Sequence, residues 1–544
     1  MVNRDTALIR DYAWACFRRG REPMEPARFE PNWNDAPSKI KTYGDVITLP
    51  LPHGHPPLGP LDATATLPDT EAPWSLASLS TLLRLSYGTL CRRLEPNWNQ
   101  DTLMRIGYEH AIWGRGTASG GGLYPLEIYW VSGAAGPLLP GVYHYVTGAH
   151  ALERLLVGDV SERVRAATGH HPSACETDQF LLISVKFWKN AYKYNSFTYH
   201  VVTQDVGALL TSWELIARAL RAPLQRVMWF SDRRLNDLLG LNTLGESVLA
   251  VVPLPWTGAG PGRARVGPLD GGEPKVTKPA FERSRTVIRF PTVEEVHLAA
   301  LVDAEARPDP ESAGSAAVPA PPPAGAAEIP LPPLDLRMDL GDALAARRSA
   351  FGDFTEEPPL TAAELGAVLR VSAAARHYRA DTHPATDPPL QNAPLTRLFV
   401  MAHRVAGVPS GGYVYVPERH ALDPIEIDQS VLEHLPTFLQ GGYYLTNYNL
   451  DRVGAVMVIT GRLDAALEAF GRRGYRILNA EAGGVVQAGY LAATAAGVNC
   501  GAVLGLDNIT YNDVFQLTGT DECTFLFVLL GRGRTASAEL DYRL

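Results

Sequence analysis

The chain has 544 residues, 46% of them hydrophobic, enough for two or more domains with buried cores, because single cores stop growing well before this length. With 49 Lys and Arg against 58 Asp and Glu, the formal net charge is −9, which leaves no basic excess to neutralise nucleic-acid phosphates or anionic lipid. The five cysteines form no C-x-x-C pair and have no histidines at zinc-ligand spacing, and no apolar run approaches the roughly 18 residues of a membrane span, so neither a metal site nor a membrane anchor is expected and the protein reads as cytoplasmic.

Residues 1–70 hold one helical stretch and a Pro-rich exit, "ITLPLPHGHPPLGPL", and read as an extension too small for a core of its own. A first block, 71–300, mixes strand-like runs ("LEIYWV", "FLLISV", "SVLAVVPL") with helical apolar spacing in "LLTSWELIARAL". Within it, "RGTASGGGLYPLEIYWV" at 115–131 places small residues just before a strand, where missing side chains let backbone N–H groups approach a ligand. "AYKYNSFTYHVVTQDVG" at 191–207 sets Lys193 beside Tyr194, and "GAGPGRAR" at 258–265 reads as a turn. Residues 301–335 are so rich in Ala and Pro that an extended linker is expected. A second block, 336–544, returns to the same alternation, with "GAVMVIT", "GVVQAGYLAATAAGV" and "TFLFVLLG". The pattern is α+β.

The two blocks repeat each other. "GVYHYVTGAHAL" at 141–152 matches "GGYVYVPERHAL" at 411–422, and later Tyr199, Asp205 and Gly207 align with Tyr475, Glu481 and Gly483. Two landmarks in the same order imply one fold used twice. The second copy lacks the glycine loop, reading "ATDPPLQNAPLTRLFVM", and has Ala469 and Phe470 where the first has Lys193 and Tyr194.

The loop, the Lys-Tyr pair and the duplicated framework together resemble the SagB/ThcOx branch of the FMN-dependent nitroreductase superfamily. The branch's S-x-G-x-L-Y-P-x-E loop stands here as Ser119 to Glu127, with Ser119, Gly120 and Gly121 expected against the flavin. Its K-Y-G-x-R-x-Y-R block stands as Lys193 to His200, with Asn195 for the usual glycine and Phe197 for the usual arginine. "AARRSAFGDF" at 345–354 resembles the superfamily's R-x-S element, so Arg347 and Ser349 are expected at the FMN phosphate, although Phe351 stands where a further basic residue is usual. "VLGLD" at 503–507 is similar to the segment beside the flavin ring, which brings in Leu504 and Gly505, and Arg532, Arg534 and Arg543 near the C-terminus stand where the superfamily has further phosphate-binding cations, any one of them a candidate ligand.

The resemblance implies two tandem nitroreductase-like domains, each a central antiparallel or mixed sheet flanked by helices, fused into a pseudo-dimer with one surviving FMN site. The activity it implies is oxidation of thiazoline or oxazoline rings in a modified precursor peptide to thiazoles or oxazoles, with Lys193 and Tyr194 as the catalytic pair. A cyclodehydratase is a candidate partner, a homodimer a candidate assembly, and the N-terminal extension a candidate peptide contact. Other flavin chemistry on a different substrate (hydroxylation, desaturation, reduction) and a flavin-free docking scaffold are the alternatives.

Overall fold

The computed structural model describes residues 4–66, 72–95, 110–256, 274–320, 325, 327–350, 352–384, 393–445, 447–534 and 541–543. The expected turn at 258–265, Phe351 and the first eight residues of the stretch that replaces the glycine loop, 385–392, lie outside them.

In the first half the chain runs α1 (Arg4–Arg18), β1 (Ile47–Pro50), α2 (Leu76–Tyr87), β2 (Cys91–Glu95), β3 (His110–Gly114), β4 (Leu126–Ser132), β5 (Gly141–Val146), β6 (Ala151–Val157), β7 (Gln179–Lys186), α3 (Trp188–Tyr194), α4 (Thr198–Ala219), α5 (Asp232–Leu238) and β8 (Glu246–Pro253). The second half runs β9 (Ile329–Pro330), α6 (Leu340–Ala346), β10 (Phe354–Thr355), α7 (Ala362–Ala374), β11 (Thr396–Ala402), β12 (Gly411–Val416), β13 (Ala421–Ile425), β14 (Ala455–Gly461), α8 (Leu463–Phe470), α9 (Gly474–Ala495), β15 (Asn499–Val503), α10 (Asn508–Val514), β16 (Cys523–Gly533) and β17 (Asp541–Arg543).

The first sheet has the order β1-β6-β5-β4-β7-β8 and the second β10-β16-β14-β11-β12-β13-β9 with β15 also on β16, and all these pairings are antiparallel. The five strands from β6 to β8 and their counterparts from β13 to β16 therefore follow one topology. The repeated hairpins agree in detail. His150 and His420 both take φ +46°, and each ring accepts or donates at Nδ1 to a tyrosine hydroxyl, Tyr145 at 2.9 Å and Tyr415 at 2.8 Å.

The repeat starts earlier in each half than expected. Pro50 pairs with Ala151 and Pro330 with Ala421, so the edge strand of each sheet comes from a Pro-rich segment, one read as extension and the other as linker. Proline has no N–H to give a ladder and is tolerated at an edge, which is why two functional strands look like linkers in sequence. The described part of 301–335 is also packed, since a short helix at Ala313–Ala316 buries both terminal alanines against α8. The N-terminal segment is no appendage either, because α1 lies across the seam with Tyr12 edge-on to both Tyr199 and Tyr475 and its hydroxyl donating to the Ser196 carbonyl at 2.9 Å.

A central core, built from both halves, lies between the sheets, and each half has a second core on its outer face. The long helices α4 and α9 cross at the paired glycines. A Cβ on Gly207 would stand 1.7 Å from the Ala480 carbonyl oxygen, and one on Gly483 would stand 2.0 Å from that of Gln204. Glycine at both places lets the two backbones touch, and this fixes how the halves meet. Among the described residues no helix is long and apolar enough to cross a membrane.

Candidate functional site

Between β3 and β4, the loop Arg115–Pro125 is held from below by Asp205 of α4. The Ser119 hydroxyl donates to Oδ2 at 2.6 Å, the Gly120 amide donates to Oδ1 at 2.9 Å, and the Tyr124 amide donates to the Ser119 hydroxyl at 3.0 Å. Burial pushes the Asp205 carboxyl up to about 7, and these hydrogen bonds only partly oppose it. Asp205 thus shapes the loop through these hydrogen bonds.

Each loop glycine has its own reason. A Cβ on Gly120 would lie 2.2 Å from Val201 Cγ1, so only glycine packs against α4 there. Gly121 takes φ +63°, and its Cβ would lie 2.7 Å from the Tyr194 hydroxyl and 3.0 Å from Lys193 Nζ. The loop and the Lys-Tyr pair are therefore in direct apposition. Lys193 and Tyr194 end α3, half-buried, with Lys193 Nζ 5.3 Å from the Tyr194 ring centre. Burial holds the Tyr194 phenol well above its ordinary range, Asp205 adds to this, and Arg19 of the N-terminal segment opposes it.

Asn195, which follows the pair, takes φ +43°, ψ −130°, and Gly471 at the matching place takes φ +53°, ψ −133°. The substitution of asparagine for glycine leaves the backbone unchanged, in a region that costs a side-chain-bearing residue on the order of 1–3 kcal/mol.

The second half reaches the same loop. Arg347, at the end of α6 and 3% exposed, donates from Nε to the Gly116 carbonyl at 3.0 Å and from Nη2 to the Arg115 carbonyl at 3.2 Å. Gln487 of α9 accepts from the Ala118 amide at 2.8 Å and donates to the Gly116 carbonyl at 3.0 Å. Ser349 shares a 2.8 Å hydrogen bond with the Tyr490 hydroxyl. Leu504 and Gly505 follow β15, where the Gly505 carbonyl accepts from the Tyr444 amide at 2.9 Å and neighbouring Tyr443 is close enough to Tyr194 to be affected by its charge. Arg532 is ion-paired, with Nη2 donating to both Glu364 oxygens at 2.7 Å. Arg543 pairs through its backbone with Cys91, and its side chain lies outside the described residues.

Sequence reasoning missed Gln487, because an isolated glutamine inside an apolar helical run carries no signal. It also missed Arg19, which precedes every motif.

At the repeat-related place the described side chains are closely buried. Ser231 and Asp507 are the N-caps of α5 and α10, the same distance along the chain after Tyr199 and Tyr475. Met228 and Trp229 therefore correspond to Leu504 and Gly505. Both are 4% exposed, Phe470 is fully buried, and Asp381 accepts from the Met228 and Trp229 amides at 2.7 and 3.0 Å. Arg473 enters from the second half, ion-paired to Asp232 and donating to the Met228 and Phe230 carbonyls. Trp229 thus stands where the other place has Gly505, and Phe470 and Arg473 stand where it has Tyr194 and Phe197.

Residues 344–532 match the nitroreductase family. A Methanocaldococcus jannaschii protein named as a nitroreductase is 26% identical over 196 residues, 36% of this chain and 90% of its own length. The crystal structure of a nitroreductase-type protein from Anabaena variabilis ATCC 29413 has a TM-score of 0.69 to this one at 24% sequence identity, with 97% of this chain and 99% of the other covered. The second half contains a nitroreductase-family domain. The whole chain has a nitroreductase-type fold, used twice in tandem.

The first-copy site suits a flavin nucleotide chemically. Gly121 and Gly122 leave a side-chain-free edge, and nothing lies within 4 Å of a Cβ on Gly122. The adjoining second-half residues are a guanidinium and a hydroxyl, Arg347 and Ser349, which suit phosphate oxygens.

Proposed function

We propose that the protein is an FMN-dependent oxidoreductase that converts thiazoline or oxazoline rings of a modified precursor peptide to thiazoles or oxazoles. The observation that carries this reading is the apposition of Lys193 and Tyr194 to the Gly121 edge of the loop at one of two repeat-related places. Ser119, Gly120 and Gly121 would lie against the cofactor ring, Leu504 and Gly505 beside it, and Arg347 and Ser349 at its phosphate. When bound, FMN supplies the two-electron acceptor for a hydride from the ring and passes those electrons to dioxygen.

Aromatisation removes a hydride and a proton from adjacent ring carbons. Lys193 Nζ takes the proton as general base, and the electron pair of that C–H bond becomes the new ring double bond. The Tyr194 phenol, kept protonated by burial, donates a hydrogen bond that orients the azoline. Asp205 keeps the glycine edge in place through Ser119 and Gly120. A cyclodehydratase supplies the azoline.

The test is mass spectrometry of an azoline-bearing peptide incubated in air with the FMN-loaded full chain. Loss of two hydrogens by the wild type, and by no Lys193→Ala sample, supports the reading. Gain of oxygen, or an unchanged peptide, rejects it.

A further inference from the structure

We propose that the buried Lys189–Glu127 ion pair is a positioning device for the Lys-Tyr pair, fixing the rotation of α3 that brings Lys193 Nζ against the Gly121 edge. The inference rests on the reading of Lys193 as the base and adds two residues that act through it. Lys189 Nζ donates to Glu127 Oε1 at 2.8 Å, and the two side chains are 3% and 2% exposed. Lys189 and Lys193 are one helical turn apart on α3, so they share a face, and anchoring the first orients the second. Glu127 is the second residue of β4, just after the loop ends at Pro125, whose carbonyl accepts from the Lys186 amide at 2.9 Å. Loop, strand and helix are thus tied into one short circuit that closes where Lys193 meets Gly121.

Glu127 is itself held in place. His144 Nε2 lies 3.2 Å from its Oε2, His144 Nδ1 lies 3.1 Å from Glu153 Oε2, and Glu153 Oε1 accepts from the Tyr43 amide at 3.2 Å, all of them buried. Burial pushes the Glu127 carboxyl up, but Lys189, His144 and Lys41 together outweigh it and hold it below its ordinary range. The other copy lacks this arrangement. β4 pairs Tyr129 with His144 and β11 pairs Phe399 with Val414, so Arg397 and Val414 stand in the places of Glu127 and His144, and Ala465 of α8 in that of Lys189. Arg397 turns to Glu522, at 3.5 Å, and to the Pro319 carbonyl, while Ala465 is buried. A buried ion pair adds little stability over apolar side chains of similar size. The pair therefore goes with the chemistry of α3 and not with the fold, since it is present beside Lys193 and Tyr194 and absent beside Ala469 and Phe470.

The experiment compares the FMN-loaded full chain with Glu127→Gln/Lys189→Met, which removes both charges together and leaves neither ion unpaired. Azole formation gives kcat and KM, urea unfolding gives stability, and acetylation of Lys193 by acetic anhydride, read by mass spectrometry, reports its placement without any turnover. The double variant is expected to be at least as stable as the wild type and to keep its flavin and its KM, to lose about tenfold to a hundredfold in kcat, and to acetylate Lys193 severalfold faster. Unchanged Lys193 labelling, or a kcat within about twofold of the wild type, overturns the inference and leaves the proposed function standing. A wild type that forms no azole sinks the proposed function instead, and the labelling alone then decides the inference. Should the double variant not fold, Glu127→Gln, which keeps the shape and an acceptor oxygen for Lys189, takes its place with the same expected directions in kcat and labelling.

Discussion

Asp205→Asn isolates the support beneath the glycine loop. In the folded chain the carboxyl is pushed from 3.8 up to about 7 by burial, while in the unfolded chain it ionises at the ordinary value. Between those limits the native state holds a proton that the unfolded state has released. This contribution to stability is therefore fully present below about pH 4, declines as the pH rises towards 7, and is gone above it. At about 1.36 kcal/mol for each tenfold change in proton affinity, the loss amounts to roughly 4 kcal/mol as an upper figure. Asparagine is isosteric, does not titrate, and can still accept from the Gly120 amide through its oxygen while its amide donates to the Ser119 hydroxyl. Thermal and urea unfolding of wild type and variant, measured from about pH 5 to pH 8, should show the variant gaining on the wild type as the pH rises. It should lead by roughly 2–4 kcal/mol at the alkaline end. A difference that stays flat with pH, or a variant less stable throughout, would show that Asp205 is ionised in the fold and that the argument from burial is wrong.

Lys193→Ala should keep the bound-flavin absorbance and lose about 10²- to 10⁴-fold in turnover, measured as azole formed per minute. Asn195→Gly should raise the melting temperature, with a gain of about 1 kcal/mol, because Gly471 already holds the same backbone angles without a side chain. Arg347→Ala should weaken FMN retention on gel filtration by about tenfold or more, although Arg347 lies in the half without the Lys-Tyr pair. It should also make the 115–118 backbone more open to hydrogen exchange, since two of its carbonyl contacts are lost.

The duplication was legible because two hairpins with one tyrosine–histidine hydrogen bond, and two helices that must touch at Gly207 and Gly483, constrain the same residue types twice. The loop beside Lys193 and Tyr194 was legible for a similar reason, since Gly120 and Gly121 each exclude a Cβ. The edge strands were hidden by their prolines, and the packing of α1, though not the helix itself, by its distance in sequence from Tyr199 and Tyr475. The ion pair of Arg532 was not legible either, because Glu364, its partner, lies far upstream on α7. Trp229 had no motif to mark it, and its meaning emerges only when the repeat puts it in the place that Gly505 takes in the other half.

The central claim is that one of two repeat-related places binds flavin and the other is closed by the chain's own buried side chains. Full-length protein, reconstituted with excess FMN and desalted, is denatured, and the released flavin is measured by absorbance against protein concentration. The account predicts one FMN per chain. Two would contradict the closure of the counterpart around Trp229, Phe470 and Arg473, and none would contradict the flavin site itself.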